Sequence, residues 1–174
     1  DLNIEKGNYG ILTLHRPSNV DEKETFSGII SALEEIGRKI PLVFPLHPRT
    51  KNRAEEFGLF NRLESIPNIV LTGPAGYLDF VALMSESKLV LTDSGGLQEE
   101  TTALGIPCLT LRENTERPIT VTEGTNTIVG NNPKVIIDTA FEVLDNGGKA
   151  GRVPELWDGK TAARIADIIQ CRIR

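Results

Sequence analysis

Short apolar runs alternate with amphipathic segments along nearly the whole chain. Tyr9–Leu14, Leu42–Leu46, Ile69–Thr72, Lys88–Thr92, Cys108–Leu111 and Thr127–Val129 read as strands. Several are apolar at almost every position, which suits a parallel sheet covered on both faces. Helical patterns fill the gaps. The clearest runs from about Asp21 to Lys39, with Asp21 as its cap, Glu24 completing a capping box, and Phe26, Ile29, Ile30, Leu33 and Ile36 on one stripe. Further helices are expected near Lys51–Phe57, Leu78–Ser85, Leu97–Leu104, Val135–Leu144 and Thr161–Cys171. The last carries Ile165, Ile168 and Ile169 on one face, after a loop marked by Gly147, Gly148 and Gly151. Strand–helix alternation without repeats or linkers predicts one α/β domain, a Rossmann-like doubly wound parallel sheet over residues 1–174.

In that fold, ligands bind beyond the carboxyl ends of the strands, and these ends carry the polar clusters. They are His15-Arg16-Pro17-Ser18-Asn19, His47-Pro48-Arg49-Thr50, Gly73-Pro74-Ala75-Gly76-Tyr77, Asp93-Ser94-Gly95-Gly96 and Arg112–Pro118. The Ser94-Gly95-Gly96 turn is the most telling. It joins a strand to a helix, its glycines allow close backbone approach, and the helix start offers free N–H groups to an anion. A phosphate or diphosphate fits there, and Glu99 or Glu100 one turn on would reach a hydroxylated part of the same molecule. A nucleotide has that shape.

Each cluster also has a plainer reading. Ser before a helix is a common N-cap. His15 alone would suit a strand end, whereas Arg16 and Asn19 beside it favour a phosphate-side cluster. Pro45 and Pro48 around His47 also suit a simple turn. Glu99 and Glu100 also suit a solvated helix face. Arg112, Glu113, Glu116 and Arg117 either satisfy one another at the surface or neutralise a diphosphate, a role that Arg117 suits best.

Composition narrows the partners. The net charge of −5, the low aromatic content (5%) and the lack of a long basic run argue against nucleic acid. No apolar span of membrane length and no signal peptide occur, so no membrane is expected and a reducing cytosol is the expected location. Cys108 reads as a small core residue, and Cys108 and Cys171 suggest no disulfide framework. Two histidines more than thirty positions apart build no zinc site, so neither metal nor cofactor is expected. A Walker sequence and a GxGxxG turn are both missing. The chain opens on Asp1-Leu2-Asn3-Ile4 and soon enters a strand, with no initiator methionine, as if cut from a longer protein.

Thr13–Asn19, Pro45–Thr50, Asp93–Glu100, Arg112–Pro118 and Gly124-Thr125-Asn126, in this order, resemble the C-terminal half of the non-hydrolysing UDP-N-acetylglucosamine 2-epimerases. The resemblance covers nearly all of the chain. It implies a glycosyltransferase B-type architecture of two Rossmann-like domains, of which this chain is the second and the N-terminal domain is absent. It also implies a homodimer at full length and a final helix packed near the interdomain junction.

Position by position, Ser94, Gly95 and Gly96 would bind the diphosphate, Glu100 the ribose, and Arg117 the UDP. Ala75 and Tyr77 would meet the uracil, and His15 would sit by the phosphates near the reacting sugar. Arg16 and His47 match a second, regulatory site for UDP-N-acetylglucosamine in some bacterial members. The implied reaction inverts carbon 2 of the sugar through elimination of UDP to a glycal and re-addition, giving UDP-N-acetylmannosamine. Several of the proton-transfer carboxylates would come from the other domain.

One position departs from the pattern: Ile119 follows Pro118 where many members carry Glu. That puts the identity of the sugar in question. The alternatives are the donor domain of a related glycosyltransferase, a hydrolysing epimerase, or a UDP-binding module without catalysis. The pairing of His15-Arg16 with Thr115–Pro118 disfavours the glycosyltransferase.

Overall fold

The computed structural model describes residues 4–173; Asp1–Asn3, which open the chain, lie outside the described residues. Six strands form one parallel sheet: β1 Gly10–Thr13, β2 Leu42–Pro45, β3 Ile69–Thr72, β4 Leu89–Thr92, β5 Cys108–Thr110 and β6 Asn126–Ile128. Their spatial order is β3-β2-β1-β4-β5-β6. Every expected strand is present, with no end shifted by more than one residue. β1 lies next to both β2 and β4. The chain winds outward in one direction from β1 to β3 and in the other from β4 to β6. The loops after β1 and β4 therefore part from each other and leave a crevice at their ends.

Alternate side chains of these strands feed two cores. Leu12, Leu42, Phe44, Leu89 and Leu91 face one layer; Ile11, Val43 and Val90 face the other. The first layer is built by α2 (Lys23–Lys39) and α8 (Pro133–Asn146), which pack on each other. All five residues of the predicted α2 stripe are buried, each contributing about 1.5–3 kcal/mol by leaving water. The second layer holds Phe80 and Leu83 of α5 (Tyr77–Ser85) and Leu97 of α6 (Gly95–Leu104). Cys108 lies in the sheet, and burial pushes its thiol up to about 11, so it is an inert core residue.

The start of α2 differs from the expectation. Its N-cap is Glu22, with no side-chain cap bond, and no capping box forms. Asp21 instead ends a short helix α1 (Pro17–Val20) and pairs with Arg49 and, at 3.1 Å, with Arg53 of α3 (Pro48–Glu56). Two guanidinium groups outcompete a free helix N–H for that carboxylate. Helices α1, α4 (Phe60–Glu64) and α7 (Pro118–Thr122) escape sequence analysis because each is too short to show a period. Helix α9 (Thr161–Ile173) forms as expected, but Ile165, Ile168 and Ile169 are each about half exposed among the described residues.

The end of α2 sets a stringent packing contact. Asn68, at φ +59°, donates its side-chain amide to the Gly37 carbonyl at 3.1 Å. A Cβ on Gly37 would stand 2.6 Å from the Pro67 carbonyl oxygen. Gly37→Ala gains about 1 kcal/mol of helix propensity, but overpacking of this kind costs about 1–3 kcal/mol. Urea unfolding should therefore show a net loss of up to about 2 kcal/mol; a stabilised variant would mean that the Pro67–Asn68 turn gives way.

Candidate functional site

β1 and β4 run in register, with Thr13 beside Thr92 and their hydroxyls 2.7 Å apart. The residues that follow are therefore neighbours too. Asp93 leaves β4 with its side chain fully buried and turned across to the β1 loop. Its carboxylate accepts the main-chain N–H of His15 at 2.9 Å, that of Arg16 at 2.8 Å, and the Asn19 amide at 3.2 Å. The other oxygen lies 2.9 Å from His15 Nδ1. Burial alone would raise this carboxyl's pKa, but the His15 side chain and the Arg16 and His15 main-chain donors more than offset it and hold the value below the ordinary range. Asn19 is buried and spends its remaining N–H on the Leu111 carbonyl at 2.8 Å. It braces the loop rather than facing a ligand.

Ser94 stands at the N-cap of α6 in extended conformation, with its hydroxyl making no cap bond. Its own N–H donates to the Thr92 hydroxyl at 3.0 Å. Above Gly95 and Gly96 the space is open: an added Cβ would meet nothing closer than Glu116 Oε2 at 3.8 Å and Ser94 Oγ at 4.0 Å. The first turn of α6 holds no acidic residue. Its free N–H groups and dipole thus point into open space, the arrangement that binds an anion.

A buried polar relay ties α6 to the loop after β5. Thr110 donates to Asn126 Oδ1 at 2.6 Å, and the Asn126 amide donates to Gln98 Oε1 and to the Thr120 hydroxyl, at 3.2 and 3.0 Å. The Thr115 hydroxyl also donates to Gln98 Oε1 and accepts the Arg117 N–H at 2.9 Å. On this loop Arg112 grips Glu116 with two bonds of 2.7 and 2.8 Å, which pulls the Glu116 carboxyl down to about 2. Arg117 pairs with Glu99 at 3.0 Å. Glu100 differs: its Oε2 is buried without a hydrogen-bond partner. Burial raises its pKa, the Tyr77 hydroxyl opposes that, and Glu99 adds to the rise.

The predicted residues divide accordingly. A cleft of about 280 Å³ gathers His15, His47, Ala75 and Ser94, with Phe80 and Leu97 among its apolar walls. Gly95 and Gly96 adjoin it at the head of α6. Tyr77 is exposed at the start of α5, with its hydroxyl near Glu100 but not hydrogen-bonded to it. His47 caps α3, accepting the Arg49 N–H at Nδ1 over 3.1 Å, so the turn reading of His47 also holds; its ring lies 5.5 Å from that of His15. Arg16 lies near Glu116 rather than lining the cleft, and its Nε is buried unpaired. The surface-network reading of Arg112 and Glu116 holds as well. The sequence places Asp93, Gln98 and Asn126 within motifs but assigns none of them a role. The signal for Asp93 was an acid just beyond the apolar run Leu89-Val90-Leu91 of a strand, since such a group stays charged only where donors surround it.

The profile of a family described as UDP-N-acetylglucosamine 2-epimerase matches residues 1–170. The UDP-N-acetylglucosamine 2-epimerase of Methanocaldococcus jannaschii is 44% identical over 163 residues, covering 92% of this chain and 44% of that protein. Its structure in complex with UDP-GlcNAc and UDP superposes with a TM-score of 0.81 at 42% identity, over 93% of this chain and 45% of that one. The UDP-2,3-diacetamido-2,3-dideoxy-D-glucuronate 2-epimerase of Pseudomonas aeruginosa is 38% identical over 165 residues, covering 91% of this chain and 43% of its own length. The chain thus spans about half the length of the relatives it matches.

The Asp93 environment predicts an acid-side stability profile. Folding favours the ionised form, because the folded pKa lies below the value of about 3.9 for an unfolded Asp. Its contribution is complete above about pH 4 and is lost as pH falls through the lower folded value. Urea unfolding from about pH 5 to about pH 3 should show Asp93→Asn reducing the proton-linkage slope by up to about one proton. An unchanged slope would mean that Asp93 is not held ionised by folding.

Proposed function

The chain belongs to the UDP-N-acetylglucosamine 2-epimerase family, and on that premise we propose that it is the UDP-holding half of an enzyme interconverting UDP-N-acetylglucosamine and UDP-N-acetylmannosamine. The reaction proposed is elimination of UDP to a glycal followed by re-addition from the other face, without net hydrolysis. The observation that carries this reading is the open head of α6 at the crevice between β1 and β4, with His15 beside it. A departing diphosphate needs preorganised donors that stabilise it and keep it in place for its return. Ser94, Gly95 and Gly96 supply them.

The other roles follow the surroundings of each residue. Glu100 accepts a ribose hydroxyl, which would satisfy its unpartnered Oε2. Ala75 and the apolar wall receive the uracil, together with the exposed Tyr77 two residues on. Arg117 turns from Glu99 to the diphosphate; an exposed pair of that kind is worth only about 0–1 kcal/mol, less than a charge-assisted bond to phosphate. His15 sits by the phosphates as the catalytic group of this half, while Arg16 and His47 border a second, regulatory sugar-nucleotide site. The missing half supplies the carboxylates that move the carbon-bound proton, and it packs on the exposed isoleucines of α9.

Ile119 favours a second reading of the sugar alone. It stands in α7 just after Arg117-Pro118, where many members carry a carboxylate. A 2-epimerase acting on a differently substituted UDP-amino sugar fits this position as well.

Calorimetry with UDP is the direct test. The chain should give saturable heat, weakened by Ser94→Ala, and Glu100→Gln should lose about tenfold in affinity, or about 1.4 kcal/mol. Absence of heat with the unsubstituted chain would sink the reading. Proton NMR of the chain incubated with UDP-N-acetylglucosamine should show no UDP-N-acetylmannosamine. Robust interconversion would overturn the division of labour between the halves.

A further inference from the structure

Two imidazoles face each other in the cleft, and their partners differ in kind. His15 Nδ1 lies 2.9 Å from Asp93 Oδ1, and an ionised carboxylate only accepts hydrogen bonds. His15 Nδ1 therefore carries the proton, and in the neutral ring Nε2 keeps its lone pair. His47 Nδ1 accepts a main-chain N–H from Arg49. In His47 the proton therefore sits on Nε2. The two rings, 5.5 Å apart, are held in opposite tautomers.

We propose that Asp93 is a positioning residue that fixes His15 as the Nδ1–H tautomer and so presents Nε2 to the cleft as a proton acceptor. The inference rests on the proposed place of His15 beside the phosphates. Asp93 suits this role because it is immobile. It is fully buried, and its second oxygen is occupied by three donors from the β1 loop. A proton taken up at Nε2 would leave a buried carboxylate paired with an imidazolium, with no isolated charge and no movement of the loop. When Nε2 gives that proton up, to a phosphate oxygen or to water, the ring returns to the same tautomer, because Asp93 still accepts at Nδ1.

The geometry also supplies a sharp variant. In Asp93→Asn the amide oxygen can keep the three loop donors, which leaves the NH₂ group facing His15 Nδ1. An NH₂ group donates, so the proton must leave Nδ1 and move to Nε2. Long-range ¹H–¹⁵N spectra at about pH 8, where histidine is ordinarily neutral, should show the Nδ1–H tautomer for His15 and the Nε2–H tautomer for His47. The variant should move His15 to Nε2–H and leave His47 unchanged.

An Nε2–H tautomer for His15 in the unsubstituted chain overturns the proposal, with no dependence on whether the variant folds. So does a folded variant that keeps Nδ1–H. UDP titration of the same ¹⁵N sample tests the underlying placement separately. A shift of the His15 Nε2 resonance supports it. An unmoved resonance while Ser94 and Gly95 respond removes His15 from the phosphates, and with it the catalytic use of the tautomer.

Discussion

The structure turns on a carboxylate buried at the point where the sheet changes direction. At the switch between β1 and β4 the two loops diverge, and a crevice opened by divergence has nothing inherent to fix its walls. Asp93 supplies the fixing. Its oxygens close the main chain of His15 and Arg16 onto the end of β4, and Asn19 carries the same brace on to the Leu111 carbonyl after β5. Three consecutive strand ends are thereby locked through one ionised group. Such a group is costly to bury alone, and its donors are what make it stable there.

Burial sorts the rest of the cleft in the same manner. The groups that set geometry are inside: Asp93, Asn19, Gln98 and Asn126 are all fully or almost fully buried, and each is bonded to more than one element. The charged groups able to change partners are at the surface, as with Arg117 on Glu99. Buried networks are expensive to break, whereas exposed pairs exchange at little cost. The function proposed for this cleft, holding, releasing and recapturing a diphosphate, would require both behaviours, one in the frame and the other in the contacts.

Much of this was legible in the sequence for a physical reason. Strand and helix periods are local, so all six strands and the longer helices follow from apolar spacing, and the rule that ligands sit at strand ends points to the rim where the cleft lies. His15, His47, Ala75 and Ser94 lie around one cleft as that rule implies. What stayed hidden depends on neighbours far along the chain. Asp21 is an apt cap for α2 until Arg49 and Arg53 arrive from α3 to claim it. Asp93 looks like a turn residue until the register of β1 sets His15 beside it. Gln98 reads as a helix-surface amide, and only the fold brings Asn126 and Thr115 to it.

The placement of Glu100 follows from the same contrast. Its neighbour Glu99 is answered by Arg117, and Glu116 by Arg112, so those two guanidinium groups are already engaged. Glu100 keeps a buried oxygen with no donor, next to an open helix head that attracts anions. A carboxylate there works against binding a bare phosphate through like-charge repulsion. It favours a ligand that brings a hydroxyl donor about one helical turn from its anionic part. On the proposed reading the unsatisfied acid would make the anion site selective: inorganic phosphate would use the helix head alone, whereas a nucleoside diphosphate would satisfy the helix head and Glu100 together.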